Sequence, residues 1–457
     1  MVQAQTFNFD DYFANKTMRL DYFHSGNFDE EHFAIDRILN DGPWPGSRSV
    51  LIDELEFGLY FFEVHDAESG KVLYSRGFAS IFGEWQTIPE AREVWGTFHE
   101  SIRFPWPLKP VKVLMKKRNE KNEFVKIWET EIDPDSRKVN PSNKPKQYET
   151  WNYQLSGPAR DKVDIVVLGD GYAGDEMDKF HGDIKKFMDE LFAVEPFKSR
   201  KSDFNVRAVE TPATETGVNK PHPGEFTRTP LSMSYSAFDS ERYALTYDNR
   251  TVRDVASEVP YEFMFILINE RTYGGGGIYR LYASVASDNA FSDYIFVHEF
   301  GHHFAALADE YYSSSVSYEL GDIEVEPWEA NVTALFDPAD LKWNDLVDEG
   351  VPIPTPWPKD EFDTFSAEIQ KERKELRAAK APEEKLEALF EREKKHQTEL
   401  LENFKYAGKV GAYEGANYRQ HGMYRSYPDC IMFTRNHNDF CPACQRAIGW
   451  VIDQYTK

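Results

Sequence analysis

The sequence predicts a multidomain α+β chain: an antiparallel β-sandwich over residues 1–145, then an α/β domain over 146–457 that carries a charged helical hairpin at about 357–406. Three observations predict it. Short period-two runs fill the first part, strand and helix patterns alternate in the second, and one late stretch is about half charged at helical spacing.

From about Thr17 to Ile132 the runs MRLDYF (18–23), LIDELEFGLYFFEV (51–64), VKVLMKKR (111–118) and EFVKIWETEI (123–132) each read as a strand. Turn clusters such as Asn40-Asp-Gly-Pro and Glu68-Ser-Gly separate them. No acid, base or metal constellation stands out here, so this part reads as a support module or a binder of a glycan or protein ligand. Residues 133–150 are poor in apolar side chains and rich in Pro, Asn and Lys, which places the domain boundary there.

Beyond it, Asp164–Tyr172 reads as a buried strand ending in a turn, and 175–193 as an amphipathic helix. Further strands are expected at Phe204–Val209, Phe263–Ile268 and Ala283–Ala286, and a helix around Ser292–Leu307. Gly169–Gly174 has the form G-x-G-x-x-G, but Asp170 and Asp175 beside it would repel a pyrophosphate. Gly274-Gly-Gly-Gly reads as a flexible or tight-turning loop, since no Lys or Ser/Thr follows in Walker spacing. Within 357–406, Leu376, Leu386, Leu389, Leu400 and Leu401 form a thin apolar stripe, and Ala381-Pro-Glu-Glu restarts the helix. The stretch reads as a solvated hairpin, with a lid or docking arm over a cleft as the sharper alternative.

Composition excludes several function classes. The 457 residues carry 53 Lys plus Arg against 78 Asp plus Glu, a formal net charge of −25. Nucleic acid and anionic lipid are repelled over most approach directions by such a surface. Aromatic residues reach 15%, which fits a β-rich core. No uninterrupted apolar run is long enough to span a membrane. The opening Met1-Val-Gln-Ala-Gln-Thr lacks the basic and apolar regions of a signal peptide, so the chain is expected to be cytoplasmic or to have had a leader trimmed.

One motif carries chemistry. His298-Glu299-Phe300-Gly301-His302 is an H-E-x-x-H. On a helix, positions i and i+4 lie one above the other, so both imidazoles can reach one Zn²⁺. Glu299, one residue along, then faces the attacking water as general base. The other positions, Ile295, Phe296, Val297, Phe304 and Leu307, are apolar, as in a helix buried behind a cleft. Two core histidines without a cation would leave Glu299 buried and unpaired, at a cost. A third protein ligand leaves one coordination position open. Asp309, seven residues after His302, is the candidate, although an unbroken helix would carry it about 10 Å too far along the axis. The chain must therefore bend after about Phe304–Leu307 and return. Glu310 is the rival, or an anchor for a ligand. His303 points off this face and reads as a surface or supporting residue.

All three cysteines, Cys430, Cys441 and Cys444, lie near the end of the chain. This clustering suggests a local staple, Cys430 with Cys441 or Cys444, and otherwise a separate Cys-x-x-Cys metal or redox site with His437 nearby. On bare composition, Met432 between them reads as core packing.

The stretch HEFGHHFAALADEYY, preceded by a strand and a Gly-rich turn and followed by GMYR, CIM and FCPACQRAI, resembles the bacterial IgA-peptidase family of zinc metallopeptidases, which is related to the metzincins. The likeness covers roughly 150–457, and the first part is similar to the β-sandwich that precedes the peptidase domain in such proteins. The resemblance implies a zincin-type catalytic domain with His298 and His302 as zinc ligands, Glu299 as general base, Met432 as the turn beneath the metal and Asp309 as the acidic position after the helix. The general metzincin pattern has a Gly three residues after the second His and its third ligand three residues later. Ala305 and Ala308 stand at those positions here, with Asp309 one step beyond. Tyr424 is a candidate to stabilise the oxyanion, with an ordinary hydrogen-bonded tyrosine as the alternative.

The expected function is a zinc-dependent endopeptidase acting on a protein or peptide, immunoglobulin A being suggested by the family. It would be secreted, periplasmic or cell-surface, a placement resting on the family and on the expected disulfide. A substrate strand is expected to pair with the strand before the active-site helix. A catalytically silent adhesin or glycan-binding protein, and a zinc amidase acting on cell-wall peptides, are the two other classes that fit these residues.

Overall fold

The computed structural model describes residues 7–313, 321–436 and 439–457. Both the opening hexapeptide and His437 lie outside them. No helix among the described residues is long and apolar enough to cross a membrane.

In the first part the strands are β1 (Phe13–Gly26), β2 (Glu31–Asn40), β3 (Tyr60–Asp66) and β4 (Val72–Phe78), followed after the short helix α1 (Ile81–Trp85) by β5 (Gly96–Pro107), β6 (Val111–Arg118), β7 (Phe124–Ile132) and β8 (Val139–Asn140). They form two four-stranded sheets, β5-β1-β2-β8 and β4-β3-β6-β7, antiparallel except for the short β2–β8 pairing. Met18, Leu20 and Tyr22 of β1 meet Phe62, Val64, Val113 and Met115 of the other sheet in one core. The run 51–64 is only partly strand: pairing begins at Tyr60, because Glu56 and Gly58 turn the chain through positive φ of 53° and 100°.

β1 is buried on both faces, which a half-exposed strand would not be. Its other face carries Arg19 and Asp21, and these join the two parts of the chain. Arg19 Nη1 donates to Asp41 Oδ1 at 2.7 Å, and Arg19 also meets Asp254 of the helix α3 (Asn249–Ala256). Arg37 Nη2 reaches the same Asp254 Oδ1 at 3.0 Å, and Arg103 Nη1 donates to Tyr261 O at 2.8 Å. Arg19 and Asp41 are both fully buried, so removing either partner would strand the other charge away from water, at a cost of about 3–5 kcal/mol.

The second part is built on a six-stranded sheet. Its strands are β9 (Thr150–Gln154), β10 (Val163–Asp170), β11 (Phe204–Val209), β12 (Phe263–Ile268), β13 (Gly275–Ile278) and β14 (Tyr282–Ala286), in the order β13-β14-β12-β10-β11-β9. The central four are parallel and the two edges antiparallel. The central strands β10 and β12 are buried throughout, as continuous apolar runs covered on both faces should be. Helices α2 (Met177–Leu191) and α4 (Ser292–Ala305) cover one face, where the Phe296 ring of α4 packs tilted against Phe265 of β12 at 4.0 Å and stacks on Phe187 of α2 at 4.9 Å.

The glycine run expected as a loop is instead the edge strand β13, and packing explains its composition. A Cβ at Gly277 would lie 2.3 Å from the Glu299 carbonyl oxygen, and one at Gly276 would lie 2.3 Å from the Tyr243 ring. The strand is held against α4 on one side and a ring on the other, and only glycine fits between them.

After α4 come β15 (Val332–Thr333), the hairpin helices α5 (Lys359–Ala378) and α6 (Glu383–Glu402), then β16 (Tyr413–Ala416), β17 (Arg419–Arg425) and α7 (Pro442–Thr456). β15, β17 and β16 form a small sheet. The hairpin is docked on the body: Phe362, Leu386, Phe390 and Leu401 join the main core, Phe390 against Tyr273 and Phe291.

Candidate active site

A cleft opens between β13, α4 and the α5–α6 hairpin. Gly277, His298, Glu299, His302 and Asp309 line it, with Phe362, Glu393 and Gln397 contributed by the hairpin. The hairpin is thus a wall of the cleft as well as a solvated surface. Glu84 of α1 also reaches the lining, and Tyr243 Oη donates to its Oε2 at 2.5 Å. The first part of the chain therefore buttresses the segment that covers Gly276.

The bend demanded by the sequence occurs at Ala306. This residue takes the left-handed conformation, φ 51° and ψ 35°, and its N–H closes on His302 O at 3.0 Å. An L-residue held there costs about 1 kcal/mol, which a glycine would escape. The turn comes one position later than the metzincin glycine, and Asp309 one position later than the metzincin ligand. The two displacements match. The returning loop is then pinned by buried Asn331, whose Oδ1 accepts from Ala308 N at 2.9 Å and whose Nδ2 donates to Ala308 O at 2.8 Å.

This path brings Asp309 Oδ1 to 3.1 Å from His298 Nε2 and 3.2 Å from His302 Nε2, while the two Nε2 atoms are 3.2 Å apart. Donors bound to one tetrahedral ion at about 2.0–2.1 Å are spaced about 3.3 Å from one another, so the triangle fits a divalent metal. The tautomers fit as well. His298 Nδ1–H donates to Ile431 O at 3.0 Å and His302 Nδ1–H to Leu307 O at 2.5 Å, so each Nε2 lone pair points at the triangle. Tyr418 Oη–H donates to Asp309 Oδ2, while Oδ1 is buried without a hydrogen bond among the described residues. Three acceptors facing one point without a proton among them is an arrangement a cation satisfies. Without an ion the charge balance falls to protons on the imidazoles: burial raises the proton affinity of Asp309, but charged His302 and His298 then outweigh it and hold the carboxyl well below its usual range.

Glu299 opens on the cleft. Burial raises it above the ordinary carboxylate range against the pull of His298 and His302. Met432 lies against the helix below the triangle: a Cβ on Gly301 would touch its Sδ at 2.9 Å. Met432 O also accepts from Glu310 N at 2.8 Å.

Three expectations need correction. Tyr424 is not among the cleft residues. It sits on β17 opposite Glu414 and Thr333, and because Met423 and Arg425 on either side are buried, strand alternation turns it to the other face. His303 is not at the surface. It is buried, donating from Nδ1 to Ile278 O at 2.9 Å and accepting at Nε2 from Met264 N at 3.1 Å, and burial drives it down to about 3, so it stays neutral. The cysteines form no disulfide: Cys430 Sγ and Cys444 Sγ are 3.9 Å apart, against about 2.05 Å for a bond, and all three are free and buried. Glu310 turns away from the triangle toward these thiols, with Cys444 Sγ at 3.2 Å from its Oε1.

Sequence reasoning missed Tyr418, Asn331 and the pair formed by Arg242 and Tyr311. Arg242 and Tyr311 line the cleft, with Arg242 Nη2 at 3.3 Å from Tyr311 Oη. Tyr311 stands two residues after Asp309 in the same stretch as the histidines, whereas Tyr418, Asn331 and Arg242 lie far from it in sequence.

The family model described as IgA Peptidase M64 matches residues 152–452, and that described as Peptidase M64 N-terminus matches residues 8–129. No curated protein matches the chain. With most of its length matched, the chain belongs to the M64 family of IgA peptidases, a family of metallopeptidases.

Proposed function

We propose that this chain is a zinc-dependent endopeptidase, with the ion held by His298, His302 and Asp309 and with Glu299 as general base. The observation that carries the reading is the triangle of Asp309 Oδ1 and two imidazole Nε2 atoms, 3.1–3.2 Å on a side. Two nitrogens, one carboxylate oxygen and an open side toward the cleft suit zinc in a hydrolytic site. When bound, zinc polarises the scissile carbonyl and acidifies the attacking water.

The chain's own groups do the rest. Glu299 takes the water's proton and returns it to the leaving amine. Arg242, beside Tyr311, offers positive charge in the cleft to the oxygen that becomes negative in the transition state, the role first given to Tyr424. An extended substrate segment adds to the outer edge of β13 and not, as expected, to β14, the strand directly before α4, because β14 is paired on both sides by β13 and β12. At Gly275 that edge is already taken, since Gly275 N donates to Arg242 O at 3.1 Å and Gly275 O accepts from Ala244 N at 3.2 Å. By ladder alternation the next outward-facing position is Gly277, so pairing is confined to a short stretch beside Glu299.

The substrate class is an extended protein segment. Immunoglobulin A is the candidate that the family's description names, and such a substrate goes with a secreted, periplasmic or cell-surface location. Residues 1–145 act as a supporting module and 146–457 as the peptidase domain.

The test is cleavage of casein and immunoglobulin A, with peptidoglycan fragments in parallel. Protein cleavage that is lost on chelation, restored by zinc and absent in Glu299→Ala is expected. Cleavage of cell-wall peptides alone would favour an amidase, and metal binding without any turnover a binding scaffold. Either result contradicts the endopeptidase reading.

A further inference from the structure

Behind the triangle lies a second group of metal-binding side chains. The ligand atoms of Glu310, Cys430, Cys441 and Cys444 all lie within 4.8 Å of one another, and all four residues are buried. Cys430 and Cys444 bring their sulfurs to 3.9 Å, and Glu310 Oε1 lies 3.2 Å from Cys444 Sγ and 3.5 Å from Cys441 Sγ. Zinc bound to sulfur at about 2.3 Å and to oxygen at about 2.0 Å spaces tetrahedral donors about 3.8 Å apart for two sulfurs and about 3.5 Å for sulfur and oxygen. The observed separations of 3.9 Å for the sulfurs and 3.2 and 3.5 Å for sulfur and oxygen lie close to those values.

A second, independent observation points into the same space. Glu310 Oε2 is buried and has no hydrogen-bond partner among the described residues, although Asn331 Nδ2 donates to Oε1 at 3.1 Å. A carboxyl left half-satisfied among three thiols is costly unless a cation completes it. The sulfurs also receive donors, as metal-bound thiolates do. Cys430 Sγ accepts from Cys441 N at 3.2 Å and from Met432 N at 3.5 Å, and Ser426 Oγ lies 3.1 Å from Cys441 Sγ.

We propose that Glu310, Cys430, Cys441 and Cys444 hold a second, structural zinc ion, distinct from the ion of the cleft. Binding displaces the three thiol protons to solvent, and the four donors close the coordination shell with no open position. Three soft sulfurs select zinc over magnesium or calcium. A redox role is excluded by access: the thiols are at most 2% exposed, so no partner thiol reaches them. The ion would clamp three segments together. These are the loop carrying Asp309, the turn carrying Met432 and the start of α7. It would thereby fix the residue next to Asp309 from behind.

The test is metal counting with zinc-edge X-ray absorption on the full chain purified under reductant and supplied with zinc. About two zinc ions per chain are expected in the wild type, with a sulfur shell near 2.3 Å beside the nitrogen and oxygen shell. His298→Ala/His302→Ala should lose one ion and keep a sulfur-dominated site. Cys441→Ser/Cys444→Ser should lose the sulfur signal. If the variants fail to fold, the wild-type spectrum decides. A single zinc with nitrogen and oxygen neighbours only, or a Cys430–Cys444 disulfide found by mass spectrometry, would overturn the proposal. Because the sulfur shell reports this site alone, that failure would leave the reading of the cleft intact.

Discussion

Tyr418 and Asp309 divide the work of one carboxylate. The phenol of Tyr418 takes Oδ2, and Oδ1 is left facing the imidazoles of His298 and His302. Tyr418 comes from the two-residue turn between β16 and β17, where Asn417 and Tyr418 both have positive φ, 48° and 61°, as a type I′ hairpin requires. The turn is further tied to the acidic loop by Asn417 N donating to Asp309 O at 2.9 Å.

Removing the phenol while keeping the ring should therefore loosen the metal without removing a ligand. Tyr418→Phe is expected to weaken metal affinity by about 10–100-fold, the usual effect of losing a group that orients a ligand. Competition against a chelator measures it. An unchanged affinity would show that the Asp309 loop is rigid without Tyr418.

Glu299→Gln keeps the shape of the side chain and removes its basicity. Zinc content should match the wild type, while turnover falls by about 10²–10⁴-fold. Metal analysis and peptide cleavage on one preparation read both quantities. Retained turnover would reassign the base.

Ala306→Gly should stabilise the protein by up to about 1 kcal/mol, because glycine takes the left-handed conformation without the Cβ penalty. Denaturant unfolding of matched, metal-loaded samples checks the gain. A loss of stability would mean that the Ala306 methyl packs more usefully than its backbone is strained.

The β-sandwich carries a pH-dependent joint. His24 Nδ1 lies 3.0 Å from Glu100 Oε2 and its Nε2 lies 2.9 Å from Glu31 Oε2, while Lys117 Nζ reaches Glu31 Oε1 at 2.8 Å. Burial pushes Glu31 up, but His24 and Lys117 outweigh it and lower it to about 2. Its contribution is thus full above the ordinary value of 4.5 and is lost as pH falls toward 2. Burial pushes His24 down, but Glu100 and Glu31 outweigh it and raise it above 6.5, so its contribution is full below 6.5 and is lost at higher pH. Stability from this joint should peak between pH 4.5 and 6.5. The gap in unfolding free energy between wild type and Glu31→Gln should reach at most about 3 kcal/mol in that window and shrink toward pH 3. A gap independent of pH would contradict the assignment.

What was legible in the sequence is what periodicity and spacing encode. The strands at Phe204–Val209 and Phe263–Ile268 and the helix from Ser292 occur where their patterns place them, because each is long enough and apolar enough to dictate its own state. His298 and His302 come together because one helical turn separates them. Asp309 depends on a left-handed alanine, which no local rule singles out, although the need for a bend was evident. Gly274–Gly277 was misread because glycine signals freedom locally, whereas here tertiary crowding by Glu299 and Tyr243 demands it. Tyr418 and Asn331 reach the site from distant parts of the chain, and the cysteines gather around Glu310 instead of pairing. Only the fold brings such residues together.

The central claim is that His298, His302 and Asp309 hold one ion that the reaction requires. The most direct measurement is zinc per chain in wild type and His302→Ala, with protein cleavage followed on the same samples. The account predicts that the variant loses one zinc per chain together with its turnover. Equal zinc content in the two proteins, or cleavage that survives the loss of that ion, would contradict it.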